Sequence, residues 1–134
     1  MKNILFVCVH NAGRSQMAEA FFNKMVQGKA KSFSAGTQVA EKVNPLVVAA
    51  MREVGLDVGE NKPKMLTIEM LDNADKVITM GCGVEGVCPA SLVPTEDWKL
   101  EDPEGKTIEQ VRQIRDGVKL RVEALIKELG FGKE

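Results

Sequence analysis

Four apolar residues in succession, Ile4-Leu5-Phe6-Val7, run straight into Cys8-Val9-His10-Asn11-Ala12-Gly13-Arg14-Ser15 and then into a helix-like segment from Gln16 to Met25. An apolar run without alternation predicts a strand covered on both faces, as in the parallel sheets of α/β proteins. A tight loop at a strand-to-helix junction converges backbone N–H groups on one point, and the helix start adds its positive dipole end. The stretch therefore predicts an oxyanion cradle, with Arg14 adding a planar fork of donors. Cys8 is expected at its floor, held as a reactive thiolate by those donors and by Ser15. Gly13 is expected for unusual backbone angles, and Asn11 to brace the loop by side-chain bonds to backbone. The plainer alternative makes Cys8 a small buried hydrophobe at a strand end.

The rest of the chain repeats the alternation of strand and helix. Met17, Ala18, Phe21, Phe22 and Met25 share one helical stripe, with Gly28 as its stop. Lys31 to Ala35 reads as a short strand ending at Gly36. Asn44-Pro45 opens a helix that Gly55 closes. Thr67 caps another helix, short, and Lys76 to Met80 reads as a second buried strand. Ser91 to Pro94 is expected as a last edge strand, because of its proline. Thr107-Ile108-Glu109-Gln110 is a capping box. It opens the longest helix, where Ile108, Val111, Ile114, Val118, Val122, Leu125 and Leu129 keep a 3.6-residue period up to Gly130. Such βαβ units predict an α/β fold: a three-layer α/β/α sandwich around a four-stranded parallel sheet, one domain over residues 1–134. Sites in these folds lie beyond the carboxyl ends of the strands. Cys8, Cys82 and the acidic loop from Trp98 to Gly105 all follow expected strands, so they can meet there.

Composition removes several function classes. A net charge of −1 points to no nucleic-acid or acidic-membrane partner. No apolar run approaches the roughly 20 residues of a membrane span, and the N-terminus does not read as a signal peptide. Three cysteines, an odd count, argue against a secreted disulfide framework. A cytoplasmic monomer is expected. With one histidine, His10, and no tyrosine, Cys–His and Ser–His mechanisms have few candidates. His10 reads as a loop residue facing solvent or substrate. Asp102-Pro103 can supply the proton that a departing oxygen needs; Glu101 beside it is the competing acid, and Trp98 is expected to anchor the loop by packing.

The stretch from Cys8 to Ala20 resembles the N-terminal signature of thioredoxin-coupled arsenate reductases built on the low-molecular-weight tyrosine phosphatase fold. The resemblance continues through Phe33 to Thr37, Asn44-Pro45, Cys82, Cys88-Pro89 and Trp98…Asp102-Pro103-Glu104-Gly105. It implies that Cys8 attacks arsenate held by Arg14 and the loop from Val9 to Ser15, while Asp102 protonates the leaving oxygen. It further implies a Cys8–Cys82 disulfide that releases arsenite, then a Cys82–Cys88 disulfide reduced by a thioredoxin-like donor, a reaction of arsenical resistance. Phosphate and sulfate would compete as oxyanions. Were residues 82–88 helical, those two Cα atoms would stand about 9 Å apart. A disulfide tolerates about 7 Å, so the segment is expected to be a loop or to unwind to form the bond, and it is one residue shorter than the family's common spacing.

The resemblance implies no tightly bound cofactor. Some relatives hold a potassium ion beside the loop through residues matching Asn11, Glu19 and Ser34, but their fourth ligand, an aspartate, has no match among residues 61–66. Glu19 reads equally as a solvated helix residue. The nearest rival is a phosphatase of the same fold, which uses Cys8, Arg14 and Asp102 with water completing the turnover. It needs neither Cys82 nor Cys88, and it tends to carry an aromatic residue where Glu104 stands. A zinc module of Cys8, His10, Cys82 and Cys88 fits ordinary ligand spacings poorly. A non-catalytic redox sensor leaves Arg14 and Asp102 without a role.

Overall fold

The opening apolar run is the interior of a parallel sheet. The computed structural model describes residues 2–8, 10–80, 95–98, 100–101 and 103–130. Lys2–Cys8 forms β1, Ala30–Gly36 β2, Lys76–Thr79 β3 and Thr95–Asp97 β4, in the spatial order β2-β1-β3-β4. Every pairing is parallel. The expected strand at Ser91 to Pro94 lies outside the described residues; the described edge strand follows it.

Side chains of β1 are buried on both faces and divide by the period of two. Ile4, Phe6 and Cys8 enter the larger core, and Leu5 and Val7 the smaller one. Ile78 and Val77 of β3 divide the same way. The larger core is closed by three helices, α1 (Arg14–Val26), α2 (Pro45–Arg52) and α4 (Ile108–Leu129). The smaller is covered by α3 (Ile68–Asn73) through Met70 and Leu71. Each fully buried aliphatic or aromatic side chain contributes about 1.5–3 kcal/mol, so the three-helix face carries most of the stabilisation.

The helix boundaries follow from capping chemistry. Asn44 accepts from the Leu46 amide at the start of α2, and Thr67 accepts from Met70 at the start of α3. Thr107 and Gln110 complete the box that opens α4, and Gly130 closes it at φ +88°. On α4 the predicted stripe of Val111, Ile114, Val118, Val122 and Leu125 is buried, joined by Ile126. Helix α1 stops one residue sooner than Gly28 suggests, because Gln27 already turns left-handed at φ +50°. No described helix is long and apolar enough to cross a membrane.

Parallel registers align the carboxyl ends. Cys8 pairs with Gly36, Val7 with Thr79, and Thr79 with Asp97. The β1–α1 loop, the chain after β2 and the chain after β4 therefore leave the sheet side by side.

Candidate active site

The loop after β1 is held from outside by its own carbonyls. Thr37, Ala40 and Asn44 donate their amides to the carbonyls of Cys8, His10 and Ala12. Gln16 Nε2 takes the Asn11 carbonyl, and the Met17 amide takes that of Gly13. In a trans peptide the next N–H points opposite to each carbonyl. The amides of Asn11, Ala12, Gly13 and Arg14 thus turn into the curl of the loop. Beside it lies a cavity of about 700 Å³ lined by Cys8, His10, Ala12, Gly13 and Arg14, with the 37–44 segment, Met65, Pro103 and Glu104 around its mouth.

Cys8 is buried, and its Sγ lies 2.9 Å from Ser15 Oγ. The Lys64 backbone N–H can only donate, and it reaches Asn11 Oδ1 at 2.8 Å. That fixes the Asn11 amide so that Nδ2 faces Ser15 and donates to its Oγ at 2.8 Å. The Ser15 hydroxyl keeps its own proton and a second lone pair for the 2.9 Å contact with Cys8 Sγ, across which either group can donate. Gln16 Nε2 also donates to Asn11 Oδ1, and Asn61 Nδ2 to Gln16 Oε1. Asn11, Ser15 and Gln16 are all fully buried.

Arg14 is almost wholly buried at the start of α1, and its Nη1 donates to the Leu100 carbonyl at 3.0 Å. That bond ties the loop to the acidic segment after β4. Pro103 closes the same approach: a Cβ on Gly13 would come within 2.5 Å of Pro103 Cγ. Space therefore excludes any side chain at Gly13, whose φ is −149°. The left-handed residue of the loop is Asn11, at φ +52°. Trp98, 2% exposed, packs its ring 5.7 Å from that of Phe6 and roots the acidic segment in the larger core.

Of the residues singled out in the sequence, Cys8, His10, Asn11, Ala12, Gly13, Arg14 and Ser15 come together here. Val9, Cys82, Cys88 and Asp102 lie outside the described residues; Leu100 and Pro103, which flank Asp102, both touch the loop. Glu101 is exposed. His10 lines the cavity, with Nδ1 2.9 Å from the Gln38 carbonyl and Nε2 3.5 Å from Glu104. Glu19 is not a solvated helix residue: Ser34 Oγ donates to its Oε1, and Lys64 Nζ stands 4.0 Å from the same oxygen. The reading of the residues missed Gln16, Asn61 and Lys64. Gln16, a polar residue one turn into a helix next to the apolar stripe, was the available signal.

Comparison with known proteins places this geometry among relatives. The family profile described as low molecular weight phosphotyrosine protein phosphatase matches residues 3–133. A protein of Synechocystis sp. named glutaredoxin arsenate reductase is 40% identical over 133 residues, covering 96% of this chain and 99% of its own. A solved arsenate reductase in the phosphate binding state superposes with a TM-score of 0.85 at 40% identity, covering 97% of this chain and 100% of the other. A thioredoxin-dependent arsenate reductase of Corynebacterium glutamicum gives 0.82 at 34% identity, covering 99% of this chain and 64% of that one.

Proposed function

Because the chain belongs to the low-molecular-weight phosphotyrosine protein phosphatase family, with relatives named arsenate reductase at 40% identity, we propose that it is an arsenate reductase. One observation carries the reading: a buried Cys8 whose sulfur lies 2.9 Å from the Ser15 hydroxyl, at the floor of a loop that lines a single cavity together with Arg14. Such a site binds a tetrahedral oxyanion over a nucleophile.

Arsenate occupies the loop from Val9 to Ser15, two of its oxygens on the Arg14 guanidinium. The Cys8 thiolate attacks arsenic, and one oxygen leaves as water with a proton from Asp102. That role is supported by Leu100 and Pro103 lying against the loop on either side of it. Cys82 thiolate then attacks Cys8 Sγ. The Cys8–arsenic bond pair stays with arsenic, which leaves as arsenite, two electrons richer, and a Cys8–Cys82 disulfide remains. Cys88 attacks Cys82, restoring the Cys8 thiolate and forming the Cys82–Cys88 disulfide, which an external dithiol reduces. The dithiol is of the thioredoxin class, as in the thioredoxin-dependent relative; a glutaredoxin is the other donor suggested by a relative's name. Phosphate and sulfate compete for the loop. Glu104 at the mouth of the cavity, in place of an aromatic platform, disfavours the phosphatase alternative.

Arsenate-dependent NADPH oxidation with thioredoxin and its reductase, run in parallel with glutaredoxin and glutathione, tests the reading. Cys8→Ser, Cys82→Ser and Cys88→Ser are each expected to abolish turnover. If Cys82→Ser and Cys88→Ser turn over as the wild type does, the three-thiol cascade is wrong, and the phosphatase chemistry of Cys8, Arg14 and Asp102 takes its place.

A further inference from the structure

An alkali cation held by Asn11, Glu19 and Ser34 would need a lone pair of Asn11 Oδ1, and this chain has already used both. Asn11 Oδ1 receives two donors, the Lys64 backbone N–H at 2.8 Å and Gln16 Nε2 at 3.1 Å. A carbonyl oxygen has two lone pairs, so both are taken. Glu19 Oε1 accepts from Ser34 Oγ, and Lys64 Nζ faces it at 4.0 Å. In the nearby 61–66 segment Asn61 turns its amide nitrogen, a donor, to Gln16. The donor set does not fit a potassium ion.

We infer that Lys64 takes the place of that ion: one residue supplies the positive charge beneath the oxyanion loop and braces the loop's central asparagine. Its backbone and its side chain do separate work. The N–H orients Asn11, which donates to Ser15, which lies 2.9 Å from Cys8 Sγ. The ammonium offsets the Glu19 carboxylate, whose side chain is only 23% exposed behind the loop. Left uncompensated, that charge would oppose an arriving oxyanion. A covalently attached ammonium needs no recruitment from solution, so the loop is preorganised at any potassium concentration.

The position of Lys64 is set by backbone pairing and not by chance reach. Gly36 donates to the Lys64 carbonyl at 2.8 Å, and Leu66 donates back to the Gly36 carbonyl at 2.9 Å. Lys64 is thereby laid along the carboxyl end of β2, next to Asn11. Lys64 is a positioning residue, since it acts on the substrate only through Asn11 and Glu19.

The test uses the whole protein and inorganic phosphate as the oxyanion probe, so it stands apart from the thiol cascade. Wild-type melting temperature and phosphate Kd are expected to be the same in KCl and NaCl at matched ionic strength. Lys64→Gln keeps the backbone bond and removes the charge. It is expected to weaken phosphate binding about threefold, the scale of a partly exposed ion pair, and to melt lower. Lys64→Arg is expected to restore both. In a Glu19→Gln background, Lys64→Gln is expected to change phosphate binding little, because the charge to be offset is gone. A wild type stabilised by potassium over sodium overturns the inference. So does a Lys64→Gln variant that matches the wild type in both readouts, or one whose loss is as large without Glu19 as with it.

Discussion

Ser15 ties Cys8 to the polar network behind the loop. Its oxygen accepts from the Asn11 amide and lies 2.9 Å from Cys8 Sγ, where its hydroxyl can donate to a thiolate. A hydrogen bond to a charged group contributes about 1.5–3 kcal/mol. Ser15→Ala is therefore expected to lower kcat/KM for arsenate roughly 10- to 100-fold, with the circular dichroism spectrum unchanged. Steady-state kinetics beside the spectrum checks this, and a variant as active as wild type would show that the loop amides and Arg14 alone hold the thiolate. The left-handed turn of the loop falls on Asn11, whose side chain is gripped by Lys64 and Gln16. Gly13 is needed for the close approach of Pro103.

At the level of elements, α2 and α4 are fastened at their exposed edge by Glu53. Arg112 reaches it in a bidentate fork at 2.8–3.1 Å, and Arg115 adds a bond at 2.8 Å. The hydrogen bond from Arg112, then that from Arg115, holds the Glu53 carboxyl below its ordinary value of 4.5. A depressed carboxylate pKa means the folded state binds fewer protons than the unfolded one in that range. Its stabilisation is thus fully present above the ordinary value and is lost as pH falls through the folded one. Glu53→Gln is expected to lower the melting temperature slightly at neutral pH, the difference closing as acid protonates the wild-type carboxyl. Calorimetry across an acid pH series checks the sign; a gap that widens in acid would contradict it. The helix pair itself was legible in the sequence through Asn44, Thr107 and the α4 stripe. The Glu53 clasp was not, because it joins residues 59 and 62 positions apart.

Across the whole molecule, Trp98 links core and site. It is buried against Phe6, its amide donates to the Thr79 carbonyl, and two residues on, Leu100 receives Arg14. Trp98→Ala is expected to cost about 3–5 kcal/mol by urea denaturation, and to weaken phosphate binding in the fraction that stays folded. Loss of stability with phosphate affinity intact would separate the two roles. By itself, the sequence determined the parallel sheet, the helix caps and the tight loop that follows β1. Those depend on hydrophobic period, capping chemistry and a local turn, all written within a few residues of one another. Only the tertiary structure decided that three helices crowd one face of the sheet and α3 alone, among the described elements, covers the other. It alone set Lys64 under Asn11, 53 positions away, and the Leu100 carbonyl on Arg14, 86 positions away. Such contacts come from strand register and from which carbonyl still lacks a donor, and no local pattern encodes either.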